Sequence, residues 1–229
     1  MNQESRPVAV VTGASRGAGK GIALALGGRG YTVYVTGRSE RAGDAPLPGT
    51  IHDTAAEIDR LGGHGIAVSC DHGDDAQVRA LFERIAREQD GRLDILVNNA
   101  CAIPDELVQP GTFWEKPLSL LSLLNVGMRS NYVASYYAAP LMVARRSGLI
   151  VHTSSFGGTC YMHGPAYGAG KAAVDKMAHD MAVELRPHNV AVVSIWMGLL
   201  KTERTDVALS EPELARHYEH LLETMESPQ

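Results

Sequence analysis

The chain has 229 residues, 45% of them apolar and 21% charged, which is an ordinary composition for a globular protein that buries a sizeable core. Its formal net charge of −5 comes without a basic stripe, so nucleic acid is not an expected partner. No apolar run reaches the ~20 residues that a membrane helix needs and the start is polar, so we expect a cytoplasmic protein without a membrane partner.

Short β-branched segments alternate along the chain with longer segments of helical period. This pattern predicts strands over 8–11, 31–35, 65–69, 93–97, 149–153 and 190–195, and helices over 17–26, 54–61, 75–89, 118–144 and 165–185. Right-handed βαβ units then give an α/β fold with a Rossmann-type, doubly wound parallel sheet of at least six strands. Neither a repeat nor a charged block divides the chain, so we expect a single domain over residues 1–229, with a proline-rich surface insertion at 41–48.

A glycine-rich loop follows the first predicted strand and leads directly into an apolar helix. The loop has the spacing Gly-x-x-x-Gly-x-Gly, and its candidate cofactor-binding residues are Gly13, Ser15, Arg16, Gly17, Ala18 and Gly19. Glycines allow the backbone to turn sharply and to approach a pyrophosphate, whose charge is attracted by the free amides and the positive dipole end of the helix. A turn that serves only close helix packing is the alternative, but the order of strand, loop and helix favours phosphate binding.

The end of the second predicted strand bears on the choice of cofactor. An acidic residue there would hold the ribose 2′-hydroxyl of NAD, whereas an arginine there accepts the 2′-phosphate of NADP. This chain has Arg38, with no carboxylate between it and Glu40, and Arg16 in the glycine loop is a second cation that can reach the same phosphate. Two arginines on one doubly charged group favour NADP over NAD, and two solvated surface arginines are the alternative.

Tyr167 and Lys171 are four residues apart at the start of a predicted helix, so both side chains lie on one face within one turn. A neighbouring ammonium stabilises the phenolate and lowers the pKa of a tyrosine. Such a tyrosine can protonate a carbonyl oxygen as a hydride arrives, or remove the hydroxyl proton in the reverse direction. The pair follows the fifth strand and its polar end, Thr153-Ser154-Ser155, at the carboxyl edge where such sheets bind ligands.

These motifs, taken together and in this order, closely resemble those of the short-chain dehydrogenase/reductase family over about residues 7–202. The resemblance rests on the glycine loop, Asp71, Asn98-Asn99-Ala100, Ser155, and Tyr167 with Lys171. It implies a three-layer α/β sandwich that transfers a hydride between nicotinamide and an alcohol or carbonyl compound. In such an enzyme Tyr167 is the catalytic acid/base, Lys171 binds the nicotinamide ribose and tunes the tyrosine, and Ser155 orients the substrate oxygen.

The resemblance also implies cofactor contacts by four residues outside the glycine loop, in addition to Arg38: Asp71, Asn98, Asn99 and Thr202. Asp71 would contact the adenine, Asn99 would support the cofactor near the central strands, and Thr202 would contact the nicotinamide amide. Taken alone, Asp71 fits a turn or a helix cap, and the asparagine pair fits a loop.

Two positions near the active site depart from the family pattern or leave a choice. The asparagine that organises the family's water-linked proton relay falls on Gly127, while Asn125 and Asn131 lie out of register. Another group or a water molecule is therefore expected to make the relay. The catalytic serine is Ser155 by strand alignment, whereas the commoner family spacing points to Ser154.

The last part of the chain also differs from the family. Met197-Gly198 stands where most members have Pro-Gly. A segment of helical period at 211–225 is followed only by the end of the chain at Gln229, so we expect the usual last strand and helix to be lacking. Because that strand often contributes to subunit contacts in the family, a homo-oligomer is left open.

The residues predicted to border the nicotinamide are largely apolar and aromatic, which favours an apolar carbonyl or alcohol compound as the small-molecule substrate. They are Cys101, Ile103, Phe156, Tyr161, Met162, His163, Trp196 and Met197. Core or rim positions are the alternative for many of them. Neither the cysteines nor the histidines have metal-ligand spacing, so no metal is expected. Two rival functions are a cofactor-binding regulatory protein on the same scaffold, and a lyase or epimerase that uses nicotinamide transiently.

Overall fold

The computed structural model describes residues 6–210. The chain divides into two compact units, one made of the residues up to Ser69 together with those from Met197 onward, and one running from Cys70 to Trp196. The predicted helical tail at 211–225 and the expected lack of a last strand fall outside the described residues. The single domain stays a prediction.

Strands and helices alternate in the order that the sequence predicts. They are β1 (Val8–Val11), α1 (Gly17–Gly28), β2 (Thr32–Gly37), α2 (Ile51–Arg60), β3 (His64–Ser69), α3 (Asp75–Glu88), β4 (Ile95–Asn98), α4 (Ser122–Leu124), α5 (Ser130–Arg145), β5 (Gly148–Ser154), α6 (Pro165–Leu185), β6 (Val190–Trp196) and α7 (Glu203–Leu209). All six predicted strands are present, and α6 has the predicted bounds.

In the first unit, β2 pairs in parallel with β1 and with β3. Every residue of β1 and β2 is buried, because α1 and α2 pack against this part of the sheet. The hydroxyl of Thr50 caps the start of α2 by accepting a hydrogen bond from the backbone N–H of Asp53 at 3.0 Å. The cap gives α2 a defined start after the proline-rich insertion.

In the second unit, β5 pairs in parallel with β4 and with β6. Helix α5 packs against β4 and β5, and α6 packs against β5 and β6. Asp74 caps α3 by accepting from the N–H groups of Ala76 and Gln77. Because α6 packs against β5, the end of β5 lies close to the first turns of α6.

The six strands have the hydrogen-bonded order β3-β2-β1-β4-β5-β6. Sequence order runs outward from β1 to β3 and then from β4 to β6, which is the order of a doubly wound sheet. The predicted α/β class, with a six-stranded Rossmann-type parallel sheet flanked by helices, is confirmed.

The predicted helix over 118–144 is not continuous. A 3-10 helix over Leu118–Leu121 and the single turn α4 are separated from α5, which begins at Ser130, by a break within Asn125–Arg129. Gly127 interrupts the helical path with φ 136°. A Cβ on Gly127 would lie only 2.9 Å from Sγ of Cys101, so the break depends on a residue without a side chain. Helical period alone cannot reveal a contact with a residue so distant in sequence.

Two features of residues 6–210 bear on other kinds of function. No helix in this range is long and apolar enough to cross a membrane. Within the same range, no three histidine, cysteine or acidic side chains come together in a way that would hold a metal ion.

Candidate active site

The glycine loop turns from β1 into α1 through two glycines in the left-handed region, Gly13 with φ 64° and Gly17 with φ 57°. The N–H of Ala14 donates to the carbonyl of Thr36 in β2 at 2.9 Å, which anchors the loop on the sheet. Gly17 is the first residue of α1, and its N–H donates to the carboxylate of Glu203 at 2.9 Å. The loop therefore presents the start of α1 to a negatively charged group.

Arg16 reaches from the glycine loop to the end of β2. Its Nη2 donates to the hydroxyl of Ser39 at 2.7 Å and to the carbonyl of Gly49 at 2.9 Å. Because Ser39 directly follows the exposed Arg38, both arginines lie at the same strand end. Burial lowers the pKa of Arg16 from its ordinary value, and its buried Nε has no hydrogen-bond partner among the described residues.

Thr202 lies beside the glycine loop in the same unit. Its Cγ2 is 3.8 Å from the point where a Cβ of Gly17 would stand. Its hydroxyl accepts from the N–H of Thr205 at 3.3 Å, which places it at the start of α7. The cofactor contact of Thr202 stays a prediction, as do those of the other loop residues, Ser15, Ala18 and Gly19.

The polar residues after β3 and β4 make local hydrogen bonds. Asp71 accepts from the N–H of Gly73 at 2.9 Å in the turn that leads to α3. Asn98 is buried at the end of β4, and its Nδ2 donates to the hydroxyl of Ser135 in α5 at 2.9 Å. Asn99, the next residue, is half-buried. The cofactor contacts of Asp71, Asn98 and Asn99 stay predictions.

Tyr167 and Lys171 lie one turn apart on α6, close to the end of β5. Nζ of Lys171 is 5.7 Å from the centroid of the Tyr167 ring and donates to the carbonyl of Thr153 at 3.1 Å. Ser155 starts the turn after β5, and its hydroxyl accepts from the N–H of Gly157 at 3.1 Å. The structure therefore brings the three predicted catalytic residues together.

The electrostatics of Tyr167 distinguish the two candidate serines. Burial raises the pKa of Tyr167 above its ordinary value, and the hydroxyl of Ser155 acts in the opposite direction. Ser154 instead directs its hydroxyl toward the carbonyl of Lys171, 3.5 Å away. The pKa of Tyr167 is therefore raised and not lowered as expected from the neighbouring ammonium, and desolvation of the phenolate is the largest cause.

A small cavity adjoins Tyr167 and Lys171. Its volume is about 10 Å³, close to the least that one water molecule needs. Gly127, the residue at the family's relay position, borders the cavity without filling it. Gly170, directly before Lys171, also lines the cavity and was not predicted as a residue of the site. The lining residues are Cys101, Leu123, Gly127, Ala166, Tyr167, Gly170 and Lys171.

A wider groove of about 310 Å³ opens beside the first turns of α6. Tyr161 and Met162, two of the predicted substrate-border residues, line it, and its wall is largely apolar. The ring of His163 lies edge-on to that of Tyr167, with 5.2 Å between the ring centroids. Trp196 instead donates from Nε1 to the carboxylate of Asp175 in α6 at 3.0 Å, and Ile103 and Phe156 are exposed.

The family model for short chain dehydrogenases matches residues 7–212 of the chain. Dehydrogenase/reductase SDR family member 1 is 48% identical over 199 residues in Mus musculus and 46% identical over 210 residues in Homo sapiens. These alignments cover 86% and 90% of this chain but only 61% and 64% of the relatives. A 3-oxoacyl-[acyl-carrier-protein] reductase of Synechocystis is 32% identical over 218 residues, which is 93% of this chain and 82% of that protein.

Solved structures of short-chain enzymes have the same fold. A short-chain type dehydrogenase/reductase from Mycobacterium marinum has a TM-score of 0.78 at 30% identity, covering 97% of this chain and 84% of that one. A metagenomic short-chain oxidoreductase in complex with NADP has a TM-score of 0.74 at 30% identity, covering 84% of each chain. The match of the family model takes in every motif from the glycine loop to Thr202. The chain therefore belongs to the short-chain dehydrogenase/reductase family of oxidoreductases.

Proposed function

We propose that the chain is an NADP-dependent oxidoreductase that transfers a hydride between the nicotinamide and a carbonyl or alcohol substrate. Tyr167 is the acid/base, Lys171 tunes it and holds the nicotinamide ribose, and Ser155 orients the substrate oxygen. NADPH supplies the hydride for the reduction, and the chain's own residues supply the proton. Because the chain spans less than two thirds of the length of its mouse and human relatives, the activity of the whole protein is itself part of the proposal.

The arrangement of Ser155, Tyr167 and Lys171 is the observation that carries the proposal. In the direction of reduction, a carbonyl oxygen placed against the Ser155 hydroxyl and the phenol receives the phenolic proton as negative charge develops on it. The ammonium of Lys171, 5.7 Å from the ring centroid, then stabilises the phenolate that remains. The carbonyl of Thr153 fixes the ammonium in this position by accepting one of its protons.

Two arginines at the end of β2 support NADP over NAD. Arg16 is held against Ser39, and Arg38 is the residue before that serine, so both arginines belong to the strand end where a 2′-phosphate is expected. Nε of Arg16 has no hydrogen-bond partner among the described residues, so it is a further donor for an anion. The NADP complex of the metagenomic relative supports the same preference by similarity.

The apolar groove beside α6 supports an apolar carbonyl substrate. Tyr161 and Met162 provide much of its side-chain surface, and neither carries a charge that would favour a sugar phosphate or an acid. The name of the Synechocystis relative, an oxoacyl reductase, supports reduction of a carbonyl group. Cytoplasmic localisation and a homo-oligomer belong to the proposal as well, and cell fractionation and light scattering of the purified chain would check them.

The central experiment follows NADPH consumption by the chain across a panel of ketones, quinones and aldehydes. We expect Tyr167→Phe to lower the rate by about 10²- to 10⁴-fold, because that variant keeps the ring but loses the transferable proton. Tyr132→Phe, at an exposed position of α5, is the matched control and should keep the rate. An unchanged rate in Tyr167→Phe would overturn the mechanism. Turnover without net loss of NADPH would favour a lyase or epimerase.

Cofactor preference is tested by titrating NADPH and NADH separately and following the protein fluorescence. Arg38→Asp should weaken NADPH binding by about 10- to 100-fold, since it replaces a charge-assisted hydrogen bond by repulsion, and should leave NADH the better ligand. Arg87→Asp makes the same charge change at an exposed position of α3 and should leave the preference as it is. Tight NADH and weak NADPH binding by the unaltered chain would contradict the argument from the arginines.

A further inference from the structure

A carboxylate of the chain occupies the start of α1, where the glycine loop meets the helix. Oε2 of Glu203 accepts from the N–H of Gly17 at 2.9 Å. The atoms nearest to the point where a Cβ of Gly17 would stand all belong to Glu203 and to Thr202, at 3.8 to 3.9 Å. The beginning of α7 thus lies directly on the glycine loop within the first unit.

This contact has a clear electrostatic origin. The N–H of Gly17 is one of the amides that α1 cannot satisfy internally, and the positive end of the helix dipole is directed toward the same point. The carboxylate also interacts with Arg16, the residue before Gly17, and favours its charged form against the effect of burial. Glu203 therefore occupies the N–H of Gly17, one of the groups that would attract a pyrophosphate, and lies close enough to Arg16 to interact with its charge.

Arg16 provides a second observation at this place. Its Nη2 is engaged by Ser39 and Gly49, yet its buried Nε has no hydrogen-bond partner within residues 6–210. A buried N–H without an acceptor is costly, so an anion that reaches Nε would gain a charge-assisted hydrogen bond there. The loop is thus only partly satisfied by the chain itself.

We propose that Glu203 is an internal competitor of the cofactor: its carboxylate holds the N–H of Gly17 in the free protein and must leave when a pyrophosphate binds there. The start of α7 is consequently displaced by the cofactor, and the affinity for the cofactor is set partly by a residue that opposes binding. The inference rests on the proposed function, since it takes the glycine loop as the pyrophosphate site.

The test compares the binding of NADPH and of inorganic pyrophosphate by the unaltered chain and by Glu203→Gln. Removal of one negative charge beside the helix start should tighten the binding of both ligands by about 2- to 5-fold, with the larger effect at low ionic strength. Asp206→Asn is the matched control, because it removes the same charge from an exposed position on α7 and should change neither affinity. Glu203→Ala repeats the measurement without an amide oxygen that can still accept from Gly17.

The outcomes separate this inference from the proposed function. Equal NADPH affinities in all four proteins, or weaker binding by both Glu203 variants, would overturn the competition while leaving NADPH as a ligand. Tighter pyrophosphate binding by the Glu203 variants without NADPH binding by any protein would support the competition and contradict the proposed function. Thermal unfolding of each variant without ligand shows that the comparison is made on folded protein.

Discussion

Gly127 shows at the scale of one residue how a missing side chain shapes the candidate site. Its φ of 136° lies in the region that favours glycine, and a Cβ there would meet Sγ of Cys101 at 2.9 Å. We expect Gly127→Ala to lower the free energy of unfolding by about 1–3 kcal/mol through backbone strain, measured by urea denaturation. The added methyl group would also intrude on the cavity beside Lys171, so the rate of NADPH consumption should fall.

A second glycine provides the control for this prediction. Gly28 ends α1, and a Cβ there would meet no atom of another described segment within 4 Å. Gly28→Ala should therefore leave stability unchanged or raise it slightly, because alanine only restricts the unfolded chain. Equal stability of Gly127→Ala and the unaltered chain would contradict the claim that the break before α5 requires glycine.

The residues of the site could be predicted more completely than their energetics. Spacing and order led to Ser155, Tyr167 and Lys171, and the structure brings these three together. The direction of the Tyr167 pKa could not be predicted, since it depends on how much water the folded chain removes from the phenol. The interaction of Glu203 with Gly17 was not predicted either, because the two residues are 186 positions apart and no sequence pattern indicates that α7 contacts the glycine loop.

At the scale of elements, the cap of α2 connects the stability of that helix with the position of Arg16. The hydroxyl of Thr50 accepts from the N–H of Asp53, and the carbonyl of Gly49, directly before the cap, accepts from Arg16. Thr50→Ala should lower the free energy of unfolding by about 0.5–2 kcal/mol, because it leaves an N–H at the start of α2 without its acceptor. Urea denaturation measures the change.

Serine at the same position separates the cap from other effects of the substitution. Thr50→Ser keeps the hydroxyl and should retain most of the stability, although it removes a buried methyl group. If both variants lose the same amount, packing of the methyl group and not the cap explains the role of Thr50.

Elements with strong patterns were predicted well, and the exception has a local cause. Strands covered by helices have largely apolar sequences, and this pattern was sufficient to predict β1 and β2, which are buried throughout. The segment over 118–144 has helical period throughout, yet its helical path is broken before Ser130, where the long helix α5 begins. Period reports which face of a segment is apolar, whereas the break at Gly127 is set by a close approach to Cys101.

At the scale of the whole molecule, the topology could be predicted because several candidate groups directly follow the carboxyl end of a strand. The glycine loop follows β1, Arg38 follows β2, Asn99 follows β4 and Ser155 follows β5. In parallel sheets these ends bind ligands, so the order of motifs along the chain already indicates a nucleotide-binding enzyme. Substrate identity is not encoded in this way, since it depends on the walls of a groove formed by loops.

Stability of the whole molecule should depend on pH through His152, which is fully buried in β5. Burial lowers its pKa to about 4 from 6.5, while the carboxylate of Asp175 has a smaller, opposite effect. Between these two pH values the unfolded chain binds the proton and the folded chain does not, so stability falls as the pH falls from 6.5 toward 4. This difference in pKa corresponds to a loss of about 3 kcal/mol in the free energy of unfolding once the pH has fallen to about 4.

Urea denaturation between pH 7 and pH 4.5 isolates this contribution by comparing the unaltered chain with His152→Gln. The variant cannot take up a proton on unfolding, so its free energy of unfolding should decline less steeply as the pH is lowered, even if it starts from a lower value. His52→Gln removes an exposed histidine of α2 and should follow the unaltered chain. Parallel curves for the unaltered chain and His152→Gln would contradict this prediction. They would mean that the imidazole takes up its proton in the folded protein, although its buried Nε2 has no hydrogen-bond partner among residues 6–210.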